Sequence, residues 1–188
     1  MSPTKTVLTV AGTFLLLSLP LQAQTNIAPP TYLENFEQQT NTILVRGFSL
    51  IGSVALGNSS VTIRANEAND MTHSQKAYGI VVEISWTVEA GETARKFLVV
   101  DYDELDSLAN AIDYVSKVTW GVTPLNGFEA SYKTKSGLRF IAHSDRRQDS
   151  VNIFIQSGDG PRIPATSDQV LQIRSLIAQA KTTLDSLK

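Results

Sequence analysis

The sequence predicts an α+β domain: an antiparallel sheet or half-barrel of about seven to eight strands with two amphipathic helices, in the order strands, helix, strands, helix. Three observations lead there. First, Tyr78 to Glu89 alternates: Ile80, Val82, Ile84, Trp86 and Val88 share one face, and Val81, Glu83, Ser85, Thr87 and Glu89 the other. That period of two marks a half-buried strand of an antiparallel sheet. Second, Leu105, Leu108, Ile112 and Val115 recur at helical spacing, as do Val170, Ile173, Leu176, Ile177, Ala180, Leu184 and Leu187. Third, the strand-like segments come as meanders closed by turns, each meander followed by one such helix, whose apolar stripe must lie on a sheet.

The chain opens on Lys5 and the apolar run Val7 to Leu19 (VLTVAGTFLLLSL), ended by Pro20 and followed by Leu21-Gln22-Ala23. This is the pattern of a signal peptide, residues 1–23, cleaved after Ala23, and the run is short for a bilayer span. No second apolar run of membrane length follows, so the mature chain is expected to be exported to the periplasm or cell exterior and not embedded in a membrane. Residues 24–41 form a polar leader with Pro29, Pro30 and room for one helical turn at Tyr32 to Phe36. Residues 42–188 form a single α+β domain of a size that buries a core of its own.

Each element then follows in order. Ile43 to Leu56 is a strand bent or bulged at Gly47 and Gly52, and Val61 to Ala65 is a second strand. Asn66 to Lys76 (NEANDMTHSQK) reads as a polar loop. The alternating strand ends at Ala90-Gly91-Glu92, a hairpin, and Arg95 to Val100 returns. Asp101 is placed to cap the next helix, with Glu104 three residues on as in a capping box and Val100 and Leu105 as a staple. Acids in a first turn are favoured by the helix dipole. After Trp120 a Pro/Gly/Asn linker leads to three strands starting at Phe128, Leu138 and Ser150. The stretch SGDGPRIPATS interrupts the pattern, and Ser167 to Lys188 is a helix with Thr166 and Gln169 as a capping box. In element order, this layout is similar to the duplicated strand-meander-plus-helix of Whirly-type single-stranded DNA-binding proteins. The resemblance rests on no residue motif, and fold analogy alone carries no activity.

Composition excludes several functions. There is no cysteine, hence no disulfide, thiolate metal site or covalent haem. The 188 residues carry 16 Lys+Arg against 18 Asp+Glu, a net charge of −2. That balance runs against a nucleic-acid binder, whose footprint is basic. The acid-rich stretch from Asp101 to Asp113 does not fit a calcium loop: both registers put leucine at a ligand position, and no glycine allows the sharp turn. Its surplus acids Asp106 and Asp113 fall off the apolar stripe and are expected in water.

Among chemistry-bearing residues, His143-Ser144-Asp145 holds three triad residue types, but adjacency in sequence is not triad geometry. His73 lies near Asp70 in the polar loop, and the chain has 2 histidines in all, too few for zinc without carboxylates. No catalytic residue, metal or cofactor is assigned. Lys133, Lys135, Arg139, Arg146 and Arg147 form a basic patch able to meet an anionic ligand or acidic protein surface, although lysines also protect sheet edges. Val81, Leu98, Val100, Ile141 and Phe154 fall on the second face of their strands, so cover is expected on both faces, from a helix, the N-terminal segment or another subunit. The sequence therefore predicts an exported, non-enzymatic binding module for an unknown protein or anionic ligand. The alternatives are a carboxylate-based hydrolase using distant residues such as Glu83, Asp101 and Glu129, and a single-stranded nucleic-acid binder, which the charge disfavours.

Overall fold

The computed structural model describes residues 29–88, 91–145 and 149–188. The expected signal peptide and its cleavage point at Ala23 lie outside these residues. Helix α1 (Tyr32–Glu37) precedes four strands, β1 (Leu44–Leu56), β2 (Ser59–Asp70), β3 (Gln75–Thr87) and β4 (Thr93–Asp101). A 3-10 turn (Tyr102–Glu104) leads into α2 (Leu105–Lys117). Four more strands follow, β5 (Glu129–Lys133), β6 (Leu138–Asp145), β7 (Ser150–Ser157) and β8 (Ile163–Ala165), and then α3 (Ser167–Asp185).

The fold is α+β and its strands are antiparallel, but they do not form one sheet or half-barrel. They form two four-stranded sheets, ordered β1-β2-β3-β4 and β5-β6-β7-β8. All of α2 and the loop 118–128 separate β4 from β5, so no short turn holds those two strands in register. The described chain also has three helices rather than two, and it begins on one of them.

The inner faces of both sheets share one hydrophobic cluster with α2 and α3. Val61, Ile63, Ile80, Val82 and Ile84 enter from the first sheet, Phe140, Ala142, Ile153 and Ile155 from the second. The stripe Leu105, Leu108, Ile112 and Val115 is buried as its spacing predicts. So are Val170, Ile173, Ile177, Ala180 and Leu184 of α3, while Leu187 is exposed. Burying one such side chain is worth roughly 1.5–3 kcal/mol. The capping box of Thr166 and Gln169 is present, each bonding the other's backbone N–H.

Helix α1 packs on the opposite, outer face of the first sheet. Leu33 and Phe36 meet Ala68 of β2 and Ala77 of β3, with Leu44 and Val99 at the margin. The expected loop 66–76 is therefore mostly strand: β2 runs to Asp70, β3 starts at Gln75, and Ala68 pairs with Ala77. Two alanines among polar residues carry little strand signal, yet small side chains are what α1 needs beneath it. Gly79 is needed for the same reason, since a Cβ there would lie 2.6 Å from the Val100 carbonyl oxygen and 3.0 Å from Leu33 Cδ2.

Two further expectations are corrected. Leu98 and Val100 face the core, paired with Val82 and Ile80, so the outward apolar residues of β4 are Phe97 and Val99. Asp101 does not cap its own helix. Its carboxylate accepts the N–H of Tyr32 (2.8 Å) and of Leu33 (2.9 Å), so it caps α1 instead. Glu104 does not reach back either; its Oε1 accepts the Lys135 N–H at 3.0 Å.

Gly79→Ala is expected to lower stability by about 2 kcal/mol, the scale of overpacking in a tight core, read as a fall in the urea midpoint. Asp101→Ala, which strips the partner from the buried Leu33 N–H and the half-buried Tyr32 N–H, is expected to cost about 3 kcal/mol. A double variant should cost less than the sum, because both changes loosen the same helix.

Candidate functional site

The most distinctive surface is the outer face of the first sheet beyond α1. Register places Leu50, Arg64, Val81 and Val99 in one row across the four strands, and Ser53, Thr62, Glu83 and Phe97 in the next. Phe48 is 74% exposed, Leu50 66% and Phe97 53%. The Arg64 guanidinium lies 5.6 Å from the centroid of the Phe97 ring, a cation–π distance. Glu83 sits between Arg64 (3.9 Å) and Arg95 (3.6 Å). An ion-paired spine thus runs between exposed apolar residues at either margin.

The strand at its margin, β1, is uncovered in its first half. Every residue from Val45 to Leu50 is exposed, on both faces. The second half is covered: the α3 side chain of Leu176 lies against Gly52, and Gln169 Nε2 donates to the Ala55 carbonyl at 2.9 Å. The change of regime falls at the β-bulge between Leu50 and Gly52.

The predicted basic patch divides. Lys133 and Arg139 are register partners on the outer face of the second sheet. There Glu129 Oε2 takes Arg162 at 2.9 Å, and Glu129 lies 3.9 Å from both Arg139 and His143. Arg162 was not legible in sequence, because it lies in the Gly/Pro segment before β8. Lys135 turns away, its ammonium 3.2 Å from Asp103 and 3.5 Å from Asp101. Burial pushes that ammonium down, but Asp103, Glu104 and Asp101 outweigh it and hold Lys135 above the ordinary lysine range. Arg146 and Arg147 lie outside the described residues. Beside Glu129 and His143 is an open depression of about 670 Å³ bordered by Leu125 and Phe128. A smaller cavity of about 340 Å³, lined by Tyr114, Lys117 and Trp120, lies at the end of α2.

The remaining candidates have structural partners. His143 is exposed, whereas Ser144 points to the opposite face and is buried, its hydroxyl accepting from the Phe128 N–H at 2.7 Å. Strand alternation therefore separates them. Of the acids from Asp101 onward, Asp106 pairs with Lys181 (2.7 Å) and Asp113 with Arg174 (2.9 Å), so Asp113 is not simply solvated as expected. Glu83, Asp101 and Glu129 each belong to a different set of partners and are not brought together. Among the described residues no group of three or more His, Asp or Glu is placed to hold a metal ion.

Asp70 and His73 form a turn lock. Asp70 is buried; it accepts from the Thr42 hydroxyl, the Thr72 and His73 N–H groups, and meets His73 Nδ1 at 2.7 Å. The Thr42 hydroxyl chiefly, with His73 and the two backbone donors, outweighs burial and holds the carboxyl well below the usual carboxylate range. Comparison of the sequence with protein-family models and with curated proteins finds no match.

Because the folded-state value of Asp70 is depressed, its contribution is complete above the unfolded carboxylate value of about 4 and is lost as pH falls below it. Thermal melts of the native chain and Asp70→Asn are therefore expected to differ most at pH 5–7, to draw together as pH falls below about 4, and to converge only as pH reaches the depressed folded-state value. A gap that stays constant with pH would contradict the assignment.

Proposed function

We propose that this chain is an exported, non-enzymatic interaction module that binds a protein partner through the outer face and free margin of its first sheet. The observation that carries the reading is the exposure of Phe48 and Leu50 on a strand uncovered on both faces. Large apolar side chains clustered on a surface mark interaction sites. The dispersal of Glu83, Asp101 and Glu129 among separate structural partners supports a binding role over the hydrolase alternative. The net charge of −2 supports a protein over a nucleic acid as partner. Export rests on the N-terminal run Val7 to Leu19 followed by Pro20 and Ala23. No helix of the described residues is long and apolar enough to cross a membrane.

A second reading, an anionic ligand on the outer face of the second sheet, is favoured by Arg162 joining Lys133 and Arg139 there, and opposed by Glu129 already holding Arg162.

Two measurements test the proposal. The chain purified from its producing cell should begin at Gln24 and fractionate outside the cytoplasm; a cytoplasmic chain retaining Lys5 would sink the export part. A photo-crosslinking residue at Phe48 or Phe97 should give a discrete adduct, and one at Asn152 on the second sheet should not. Phe48→Asp should weaken binding about thirtyfold, as loss of a ~2 kcal/mol anchor does.

A further inference from the structure

We propose that two copies of this chain pair antiparallel along β1, residue 44–50 against residue 44–50, joining their first sheets into one continuous sheet. The inference rests on the interaction-face reading above and names the partner.

The Met71 N–H bonds the Ile43 carbonyl at 2.9 Å, so Ile43 turns its polar groups toward the β2 side. Backbone direction alternates along a strand, so Leu44, Arg46, Phe48 and Leu50 turn their N–H and C=O groups off the free margin. Among the described residues no strand pairs with that margin. The stretch has little of the usual protection: one charge, Arg46, but no lysine, no proline and no bulge before residue 51, with side chains exposed on both faces. A second strand is what such a margin accepts.

The register takes the exposed stretch Val45 to Leu50 together with half-buried Leu44, and keeps the outer-face residues of one copy opposite those of the other. Centring on Gly47 sets Leu44 opposite Leu50 of the second copy and Arg46 opposite Phe48 of the second copy, and the reverse. Every outward backbone group then finds a partner. Leu44, Arg46, Phe48 and Leu50 share the outer face, so apolar side chains meet apolar ones and a guanidinium meets a ring. Arg46 is the only charge in the seam, and Glu37 already holds it at 3.2 Å. In this register Arg46 does not face its own copy, so no like charges oppose. Charge and shape are therefore self-complementary, as a two-fold interface requires.

Size sets the strength. Pairing Leu44 to Leu50 is a seam of one short strand per copy, smaller than the standard interface of about 800 Å² per partner. The dimer is accordingly weak, with Kd of about 10–100 μM, set by concentration rather than obligate.

The absence of cysteine makes disulfide trapping a clean test. In this register Gly47 faces itself in a wide pair, Cα atoms about 4.5 Å apart, within disulfide reach of about 4.4–6.8 Å. Gly47→Cys should oxidise to a covalent homodimer at about 100 μM, near the predicted Kd. Val45→Cys and Ser49→Cys should not do so alone, and should give a heterodimer when mixed. Gly47→Cys yielding no more dimer than His143→Cys, on the other sheet, would overturn the pairing. Sedimentation of the native chain should pass from monomer to dimer between about 1 μM and 1 mM, while Phe48→Lys stays monomeric with an unchanged melting curve. A native chain monomeric throughout would also overturn it. The crosslink at Phe48 separates the two proposals. An adduct of twice the chain mass supports self-pairing. An adduct of any other mass overturns self-pairing and leaves the interaction face standing, and no adduct overturns both.

Discussion

The Asp101 carboxylate is the interaction on which the rest of the arrangement depends. It lies buried at the end of β4, and its two oxygens take the first two N–H groups of α1. A helix of six residues cannot hold itself together in water, since nucleation costs more than so few hydrogen bonds return. Its place therefore comes from this anchor, from the gap at Gly79, and from the alanine pair beneath Leu33 and Phe36. Lys135 reaches the same carboxylate from the β5–β6 turn. One buried charge thus ties the leader segment, the first sheet and the second sheet to a single point. Charge-assisted bonds of this kind are roughly twice as strong as neutral ones, and the buried carboxylate has little alternative to making them.

The acids that follow repeat the scheme at lower energy. Glu104 holds the Lys135 backbone, Asp106 meets Lys181, Asp113 meets Arg174, and Asp185 of α3 accepts the Tyr102 hydroxyl. Exposed pairs like Asp106–Lys181 are worth at most about 1 kcal/mol each. Their effect is on which way α2 and α3 dock rather than on how tightly. The density of acids from Asp101 to Asp113 is explained by this: a segment that leaves one sheet, becomes a helix and passes to the next sheet meets partners on several elements. Charge density in a sequence can mark a structural crossing as well as a chemical site.

The parts of the fold with strong periodicity were readable from the sequence. The alternation of Ile80, Val82 and Ile84 and the helical stripes of α2 and α3 emerged where expected, because each period matches a single buried face. What escaped was decided at a distance. Whether eight strands make one sheet or two depends on where α2 lies, which no local pattern encodes. Asp101 matches an N-cap signature, yet the donors it serves are 68 and 69 residues away. Ala68 looked like a loop residue, and its partner Ala77 carried no strand signal of its own, until a helix was placed over them. The same holds for the surface: Phe48 and Leu50 were legible as strand residues, but exposure depends on what covers them. Arg162 joined Glu129 through a three-residue edge strand containing Pro164, too short and too broken to announce itself.

The open half of β1 results from where three covers stop. Helix α3 reaches β1 at Gly52 and Ala55 and goes no further along it. Helix α1 lies over Ala68 and Ala77 and touches β1 only at Leu44 and, through Glu37, at Arg46. The inner core likewise takes Val54 and Leu56 but no residue between Val45 and Leu50. Between these limits the strand keeps its pairing with β2 across an unbroken register from Leu44 to Leu50. That register holds one side of the strand extended, which is the costly step in forming a new strand pair. A partner added to the free side meets a backbone already straight and already stripped of competing contacts, so the entropy of ordering falls on only one of the two strands, and on neither when the partner is the same strand of a second copy. Preorganisation thus favours a folded β1 over a disordered peptide as the complement of this margin, and it is the physical reason an otherwise small contact area is sufficient.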